Sequence, residues 1–347
     1  MPPADVVEAW RALAVAEEDP FALPEWLEAW CGAHPDDAPH VVVCRRDDGS
    51  VAGVVPLVVR RAGRRRVALG PGERSLDFFA PACAPADAAA VAGAVLRSRA
   101  WDLWRLERCV AGGAWLEAVK AAAGPAGCAV RPWRAEDPLV ATRLGDPAQG
   151  LDGKQRRELE RLRRNLAAGH AVAVRASEGP DEARRDLAVL LELHAARWGR
   201  ATFTPSARAF HADFAARAAD RGWLRLHTLE VDGRPAALLY GWRLGARAFA
   251  YAQAYDPSYG RYGVGVSLMA TAMERAAAEG CERFDLLRGD EPYKQRFRPT
   301  SVALESHLVA PRRSPAALEA LARSGARRAW ARLPARGRAL VGLLRPR

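Results

Sequence analysis

The spacing of apolar and polar positions predicts two helices at the start of the chain. Apolar residues recur every three or four positions over about residues 4–17 and 22–33, which is the period of a helix with one buried face. Trp10, Trp26 and Trp30 fall on these apolar faces. We therefore expect the three indole rings to pack inside the fold.

Two β-hairpins follow, far apart in the sequence. Each has two runs of β-forming residues around a turn signal, Asp47-Asp48-Gly49-Ser50 in the first and Asp232-Gly233 in the second. After each hairpin a helical pattern, at about 86–98 and 264–279, leads into a short strand, WDLWRLERC and CERFDLLRG. The same order of elements therefore occurs twice.

The offsets between the two occurrences agree. Gly49 precedes Gly233 by 184 residues, and Asp102 precedes Asp285 by 183 residues. This regularity favours an ancient duplication, whereas two unrelated α+β domains are the alternative. We predict an α/β (α+β) protein with two domains, each a mixed sheet flanked by helices. The predicted boundaries are residues 1–145 for the first domain, 151–310 for the second and 311–347 for a basic helical tail.

Charge is concentrated in that tail. The chain carries a net charge of +11, but residues 311–347 contain ten Arg and one Glu, which leaves the body near neutral. We therefore expect no nucleic-acid partner. Leu and Trp residues among the arginines suit peripheral contact with an anionic membrane surface. A helix that packs back on its own domain is the alternative.

Cysteine usage and hydropathy indicate the compartment. The six cysteines are scattered singly, without a CxxC pair or a histidine at zinc spacing. We expect no metal. The longest apolar run, near residues 51–59, is far below the length that crosses a bilayer. A cytoplasmic protein, with the tail as a possible membrane contact, is the expectation.

Glycines at a strand-to-helix transition occur in the second copy. The segment Arg261-Tyr262-Gly263-Val264-Gly265 comes directly before the helical pattern 264–279. Glycine lets a ligand approach the backbone closely, and a helix N-terminus presents unpaired N–H groups with partial positive charge. The segment suits a pyrophosphate, although ordinary turn chemistry gives the same pattern.

Polar residues follow the neighbouring strand. CERFDLLRG runs into Asp290-Glu291-Pro292-Tyr293-Lys294, which brings two carboxylates, a phenol and an ammonium to the end of a strand, a usual position for a site in an α/β sheet. A polar loop with a salt bridge is the alternative interpretation.

Other candidates concern substrate binding. A strongly charged helix near 154–169 contains Lys154 and Arg157, which either face solvent or meet an anionic ligand. Arg197 and Trp198 lie on a helical pattern, where pairing and packing are the alternative. Tyr251 lies on a strand, where a core position is the alternative.

These segments resemble a known family. The second half is similar to the CelD/BcsL-like GNAT acyltransferases of bacterial polysaccharide biosynthesis and, more distantly, to the FemAB peptidyltransferases, which are also tandem GNAT folds. The resemblance covers about residues 150–310, with weaker support from 40–110. It is carried by Lys154-x-Arg156-Arg157, His194-x-x-Arg197-Trp198, Asp232-Gly233-Arg234-Pro235-Ala236, Tyr255-Asp256-Pro257, Arg261-Tyr262-Gly263-Val264-Gly265 and Phe284-Asp285-Leu286-Leu287-x-Gly289-x-Glu291-x-Tyr293-Lys294.

Two positions depart from the family pattern. Gly260 stands where the usual phosphate loop has Gln or Arg, and Arg261 comes one residue later. Relatives often have Ser-Pro-Gly where this chain has Gly263-Val264-Gly265. Backbone contacts to a pyrophosphate survive both changes, but a role for the Arg261 side chain does not follow.

The resemblance implies acetyl-CoA or another acyl-CoA as donor, held between strands at about 246–255 and 281–287. Transfer to an amine or hydroxyl needs a base, a positive group for the oxyanion and an acid for the thiolate. We assign Glu291 to the base, Lys294 to carbonyl polarisation and Tyr293 to a hydrogen bond with the acyl group or thiolate. Asp285 is the alternative base.

Three functions stay open at this stage. The first is an acyl-CoA-dependent N- or O-acyltransferase acting on a small-molecule or glycan-precursor acceptor. The second is a FemAB-like aminoacyl-tRNA-dependent transferase, and the third is a degenerate, non-catalytic transferase.

Overall fold

A computed structural model describes residues 1–146, 149–199 and 203–316, without the side chain of Trp198. The tail prediction for residues 317–347 lies outside these residues. The described part of the first copy contains helices and strands in the order α1 (Ala4–Ala16), α2 (Pro24–Ala33), β1 (Ala38–Arg45), β2 (Val51–Ala62), β3 (Arg65–Leu69), β4 (Ala82–Cys83), α3 (Ala88–Ser98), β5 (Leu103–Val110), α4 (Ala114–Ala123), β6 (Cys128–Ala135) and β7 (Leu139–Arg143).

The second copy begins with a helix that carries its own cap. Asp152 and Gln155 form a reciprocal capping box at the start of α5, which satisfies two otherwise unpaired amides. The elements from there are α5 (Gly153–Ala167), β8 (Val172–Ala176), α6 (Gly179–Trp198), α7 (Pro205–Asp220), β9 (Leu224–Val231), β10 (Arg234–Leu244), β11 (Arg247–Tyr255), α8 (Val264–Ala278), β12 (Arg283–Arg288), α9 (Pro292–Gln295), β13 (Thr300–Val302) and β14 (Leu304–Pro311).

Both predicted hairpin turns are confirmed. In the β1–β2 turn the Ser50 amide donates to Asp48 Oδ1 at 2.9 Å and Gly49 has a φ of 84°. In the β9–β10 turn Asp232 and Gly233 both have positive φ, 52° and 74°. Two consecutive positive φ values match the twist of an antiparallel hairpin, which explains the Asp-Gly signal.

The two sheets have the same plan. The described strands of the first sheet run in the order β1-β2-β3-β5-β14-β6, with β4 paired to β2, and those of the second run β8-β9-β10-β11-β12-β7-β13. In each sheet an antiparallel hairpin leads to one parallel pair, β3–β5 or β11–β12. The predicted pair of mixed sheets flanked by helices is confirmed, and the common plan supports the duplication.

The copies exchange their last strands. β7, which ends the first copy, pairs between β12 and β13 of the second sheet. β14, from the second copy, pairs between β5 and β6 of the first sheet. Strand pairing therefore crosses the predicted limits 1–145 and 151–310 in both directions, and those limits stay a prediction about folding units.

One detail of the repeat is wrong. Opposite the exchanged strand, each sheet has a bulge whose residue has positive φ, Arg108 at 57° and Leu287 at 60°. The equivalent parallel pairs β3–β5 and β11–β12 are offset by 180 residues, which aligns Asp285 with Arg105 and not with Asp102. Two aspartates near the start of similar strands produced the mistaken match.

An aromatic cluster joins the copies. Trp26 of α2 packs edge-on against Phe210 and Phe214 of α7, with ring centroids 4.7 and 4.8 Å apart. Phe21 meets Trp242 of β10 at 6.1 Å. Trp10, Trp26 and Trp30 are all buried, as predicted. Edge-to-face pairs add about 0.5–1.5 kcal/mol each beyond buried area, so the copies form one continuous core.

Candidate acyl-transfer site

Strands β11 and β12 separate after a short paired segment. They pair in parallel only from Arg247 opposite Arg283 to Phe249 opposite Asp285. Beyond Phe249, β11 also bulges away from regular pairing with β10, because Tyr251 is the extra residue between Ala250 and Ala252. The cleft between the separated strands is where the predicted donor arm would lie.

A glycine makes this bulge possible. A Cβ built on Gly241 of β10 would lie 1.7 Å from the carbonyl oxygen of Phe249. Real side chains do not tolerate such a contact, so the close approach of the two backbones requires glycine at this position.

The predicted pyrophosphate loop connects β11 to α8. Asp256 Oδ1 accepts the Ser258 amide at 2.9 Å and starts a 3-10 turn over Pro257–Tyr262. Gly263 follows in the left-handed conformation, with φ 63° and ψ 32°, and begins α8. Within the described structure no side chain caps this helix start. Its first amides and the helix dipole therefore form an anion-binding end.

Side chains from β11 support this loop. Gln253 Nε2 donates to the carbonyl oxygen of Gly265 at 2.6 Å. The Tyr255 ring would lie 3.2 Å from a Cβ on Gly265. Arg197 stacks its guanidinium over the Tyr255 ring, 4.6 Å from the centroid. The fold thus brings the predicted Arg197 close to the predicted loop, through Tyr255.

The Arg261 side chain contacts the neighbouring Tyr262. Its Nη2 donates to the Tyr262 hydroxyl at 2.9 Å, and its guanidinium lies 4.8 Å from the centre of the same ring. Val264 and Gly265 are buried at the helix start. The cofactor assignment of residues 261–265 stays a prediction whose backbone geometry suits the ligand.

The predicted catalytic residues cluster after β12, where Gly289 turns the chain with a φ of 102°. Lys294 Nζ donates to the carbonyl oxygens of Arg288, at 2.6 Å, and Gly289, at 3.3 Å. It also pairs with Glu291 Oε2 at 2.9 Å. Lys294 is buried, whereas the Glu291 side chain is 55% exposed. The ammonium therefore fixes the turn and orients the carboxylate.

Asp285 lies apart from this cluster. Its buried carboxylate accepts from Arg247 Nε at 3.1 Å and Arg283 Nη2 at 2.9 Å. These contacts are at the paired end of β11 and β12, whereas Glu291 follows the separated end. These two ion pairs explain why the Asp285 carboxylate is buried, and the sequence alone did not reveal them.

A loop of the first copy reaches this cleft through Ser75 and Asp77. The Tyr251 hydroxyl donates to the Ser75 carbonyl oxygen at 3.0 Å and lies 3.3 Å from His211 Nε2. Asp77 Oδ1 lies 3.5 Å from Arg288 Nε. Sequence analysis missed Asp77, because its proximity arises only when the copies pack together.

Burial and charge tune the acids around Asp77. Burial raises the pKa of the Asp77 carboxyl, against the opposing effect of Arg288, Arg108 and Lys294. Burial, then the Glu291 and Asp77 carboxylates, raise the pKa of the Tyr293 phenol. Burial, then Asp77, also raises the pKa of Tyr251. Tyr293 therefore keeps its proton and can donate a hydrogen bond.

In the first copy a loop contacts the strand that corresponds to β12. The Phe79 amide donates to the Arg108 carbonyl oxygen at 3.1 Å, so the loop runs beside β5. The Arg108 guanidinium donates to the carbonyl oxygens of Glu73 and Leu76. At the start of α3, Asp87 pairs with Arg46 at 2.6 Å, which puts negative charge where the second copy has glycine. The two copies therefore differ at the helix start where the second copy has Gly263.

The remaining substrate predictions lie at the edge of the cleft. Helix α5 docks on α8 through Arg163, whose guanidinium donates to Ser267 Oγ at 2.9 Å and to Thr271 Oγ1 at 2.8 Å. Lys154 and Arg157 are exposed on α5. For Trp198 the side chain is outside the described structure. The fold does not bring Lys154 or Arg157 into the Glu291 cluster, and their role stays a prediction.

Two further findings concern the described ranges as a whole. No helix in the described ranges is both long and apolar enough to cross a membrane. No cluster of three or more His, Cys, Asp or Glu side chains in those ranges is arranged to bind a metal ion.

Comparison with known proteins gives a family model and fold relatives. Residues 153–295 match the model of an acetyltransferase (GNAT) domain. No curated protein sequence matches the chain. Among solved structures, FemX has a TM-score of 0.65 at 11% identity and covers 88% of this chain and 96% of its own.

Lipid-related proteins share the fold as well. The C-terminal domain of a proposed lysylphosphatidylglycerol synthetase from Agrobacterium fabrum has a TM-score of 0.56 at 15% identity, covering 92% of this chain and 94% of its own. L-PGS from Bacillus licheniformis has a TM-score of 0.51 at 12% identity, and the match covers 87% of this chain and 96% of its own. At such identities the likeness concerns the fold alone. Residues 153–295 are thus similar to a GNAT acetyltransferase domain, within a chain whose two sheets share one plan.

Proposed function

We propose that this protein is an acyl-CoA-dependent N- or O-acyltransferase, with acetyl-CoA or a longer acyl-CoA as donor. The observation that carries this proposal is the uncapped start of α8, at Gly263, beside the cleft where β11 and β12 separate. The amides of such a helix start attract a pyrophosphate. The cleft next to it can hold an extended pantetheine arm with its thioester towards Glu291.

Direct transfer needs no covalent enzyme intermediate. The acceptor nitrogen or oxygen attacks the thioester carbonyl carbon, the new C–N or C–O bond forms, and the C–S bond breaks. Glu291 takes the acceptor proton, and the Tyr293 phenol donates a hydrogen bond to the acyl group or to the departing thiolate. Lys294 already has three acceptors, so we infer that it acts mainly by orienting Glu291 and that Asp77 helps to keep Tyr293 protonated.

The acceptor is proposed from the CelD/BcsL resemblance. It would be a sugar or amine intermediate of polysaccharide or cell-envelope biosynthesis, met in the cytoplasm or at the inner surface of a membrane. Charged side chains on α5, including Lys154 and Arg157, with Arg197 near Tyr255, are candidates for contact with a phosphorylated precursor.

A second function has one observation in its favour. The likeness to FemX extends over 88% of this chain, and an aminoacyl-tRNA-dependent transfer would use the same cleft without CoA. A non-catalytic protein with this fold is a third function, and the polar cluster of Glu291, Tyr293 and Lys294 argues against it.

Thermal-shift and native mass-spectrometry measurements separate these functions. Full-length protein is mixed with acetyl-CoA, longer acyl-CoAs, free CoA or an aminoacyl-tRNA. We expect a raised melting temperature and a one-to-one complex with the CoA species. Binding of aminoacyl-tRNA without CoA binding would favour the second function, and binding of neither would contradict both.

A further inference from the structure

A separate cavity of about 220 Å³ lies between the first copy and the start of β11. Phe78, Phe79 and Trp115 line one part of it, and Glu17, Asp19 and Arg247 line the other. The acyl-transfer site is on the separated side of β11 and β12, whereas Arg247 belongs to their paired end. The cavity is therefore distinct from the cleft near Glu291.

The acidic part of the cavity contains an unsatisfied oxygen. Asp19 is 3% exposed, and its Oδ1 accepts the amides of Phe21 at 2.8 Å and Ala22 at 3.3 Å. Asp19 Oδ2 is buried and has no hydrogen-bond partner among the described residues. Burial raises the pKa of Asp19 to about 7 and also raises that of Glu17. A buried carboxylate oxygen without a donor calls for a partner.

The same part of the cavity also contains a cation, Arg247. Arg247 uses Nε to donate to Asp285 Oδ2 at 3.1 Å, and Asp285 also pairs with Arg283. The terminal nitrogens of Arg247 have no hydrogen-bond acceptor within the described ranges. In those ranges Asp19 and Arg247 also form no ion pair within 4.0 Å. One cavity therefore keeps a guanidinium and a carboxylate apart.

A ligand with a single charge would satisfy only one of these groups. An amine alone would leave the Arg247 nitrogens unpaired, and a carboxylic acid alone would leave Asp19 Oδ2 without a donor. A zwitterion meets both requirements, since charged hydrogen bonds at both ends are the strong kind. The aromatic side chains then cover an apolar group between them, which excludes strongly polar side chains.

We propose that this cavity binds a free α-amino acid with an apolar side chain. Its carboxylate lies on Arg247, its ammonium faces Asp19 and Glu17, and its side chain packs against Phe78, Phe79 and Trp115. This site does not depend on the acyl-transfer proposal, because none of its six residues belongs to the cluster near Glu291.

Calorimetric titration of full-length protein without any CoA compound tests the ligand class. L-phenylalanine is compared with phenethylamine, which lacks the carboxylate, and with phenylpropionate, which lacks the ammonium. L-leucine, isopentylamine and isocaproate form a second matched set. We expect at least one amino acid to bind, and both of its analogues to bind at least tenfold more weakly. No binding by either amino acid, or equal binding of an amino acid and its amine, would overturn the proposal.

Variants test the residues. Asp19→Asn keeps the Oδ1 acceptor that Phe21 and Ala22 use, but replaces the unsatisfied oxygen by a donor. Arg247→Gln removes the cation. Each is expected to weaken amino-acid binding at least tenfold. Asp152→Asn changes another helix-capping aspartate outside the cavity and is expected to bind like the unaltered protein.

A blocking variant guards against a folding artefact. Ala114 lines the cavity at the exposed start of α4, so Ala114→Trp is expected to close it while Asp19 and Arg247 stay unchanged. Circular dichroism melting checks each fold. Unchanged amino-acid binding by folded Asp19→Asn and Ala114→Trp would overturn the assignment to this cavity.

Discussion

Replacing Gly265 by Glu or by Gln distinguishes the effect of a negative charge from the effect of side-chain size on CoA binding at the proposed pyrophosphate site. Gly265 has no positive φ, and a Cβ there would lie 3.2 Å from Tyr255 and 3.5 Å from Gln253, so a side chain requires a small shift. Gly265→Glu and Gly265→Gln share this cost and differ in one charge. Both remove glycine from a helix, which is worth about 1 kcal/mol, and we expect both to fold.

The difference between the two variants can be estimated from electrostatics. Two like charges about 4 Å apart repel by about 1 kcal/mol in water and about 4 kcal/mol near a protein surface. Since about 1.4 kcal/mol is tenfold in affinity, Gly265→Glu is expected to bind CoA roughly 5- to 1000-fold more weakly than Gly265→Gln. The gap should narrow in molar salt, where screening shortens the range of the repulsion.

Calorimetric titration with free CoA measures this gap at low and high salt, and thermal melting confirms the folds. If both variants bind CoA with equal affinity at low salt, no phosphate lies at the start of α8. If both folded variants lose CoA binding equally, any side chain at position 265 blocks the ligand sterically, and the argument from charge fails.

Three other predictions concern other parts of the chain. Glu291→Gln is expected to lower the transfer rate by about 10²–10⁴ with acyl-CoA affinity retained, and an unchanged rate on the true acceptor would assign proton removal to water. Because the folded protein raises the pKa of Asp19 from 3.8 to about 7, beside Glu17 and Arg247, stability falls as pH rises between these values. The free energy of unfolding of Asp19→Asn, relative to that of the unaltered protein, should therefore rise by up to about 4 kcal/mol as the pH increases from about 4 to about 8. Denaturant titrations measure this difference, and a difference that does not change with pH would contradict the prediction. Truncation after Ala316 should remove salt-sensitive binding to anionic vesicles and retain CoA binding, whereas loss of the fold would show that the tail is structural.

Local patterns predicted the elements well. The Asp232-Gly233 turn, the start of α8 at Gly263 and the buried faces around Trp26 depend on residues next to one another in sequence, where steric and hydrophobic rules apply directly. The strand exchange was not predictable in the same way. β7 and β14 each have an ordinary strand pattern, and their partners lie more than a hundred residues away.

The candidate site likewise contains some residues that local sequence predicts and others that only the packing of the two copies reveals. Glycine at a strand-to-helix turn is a local requirement, so Gly263 and Gly265 were visible in the sequence. Asp77 was not, because it reaches Arg288 only through packing of the first copy on the second. The Arg247 and Arg283 pairs of Asp285 were hidden for the same reason, since residue spacing does not reveal which buried carboxylate has cationic neighbours.

The exchanged strands also set the order of events during synthesis. β5 and β6 of the first sheet emerge from the ribosome long before β14, which fills the gap between them. At 5–20 residues per second, the roughly 175 residues that separate β6 from the end of β14 take about 9–35 s to translate. During that interval β5 has one unpaired edge and β6 lacks its described strand partner, and unpaired strand edges are prone to wrong pairing with other chains. The first half of the chain therefore needs protection from wrong strand pairing until translation is nearly complete.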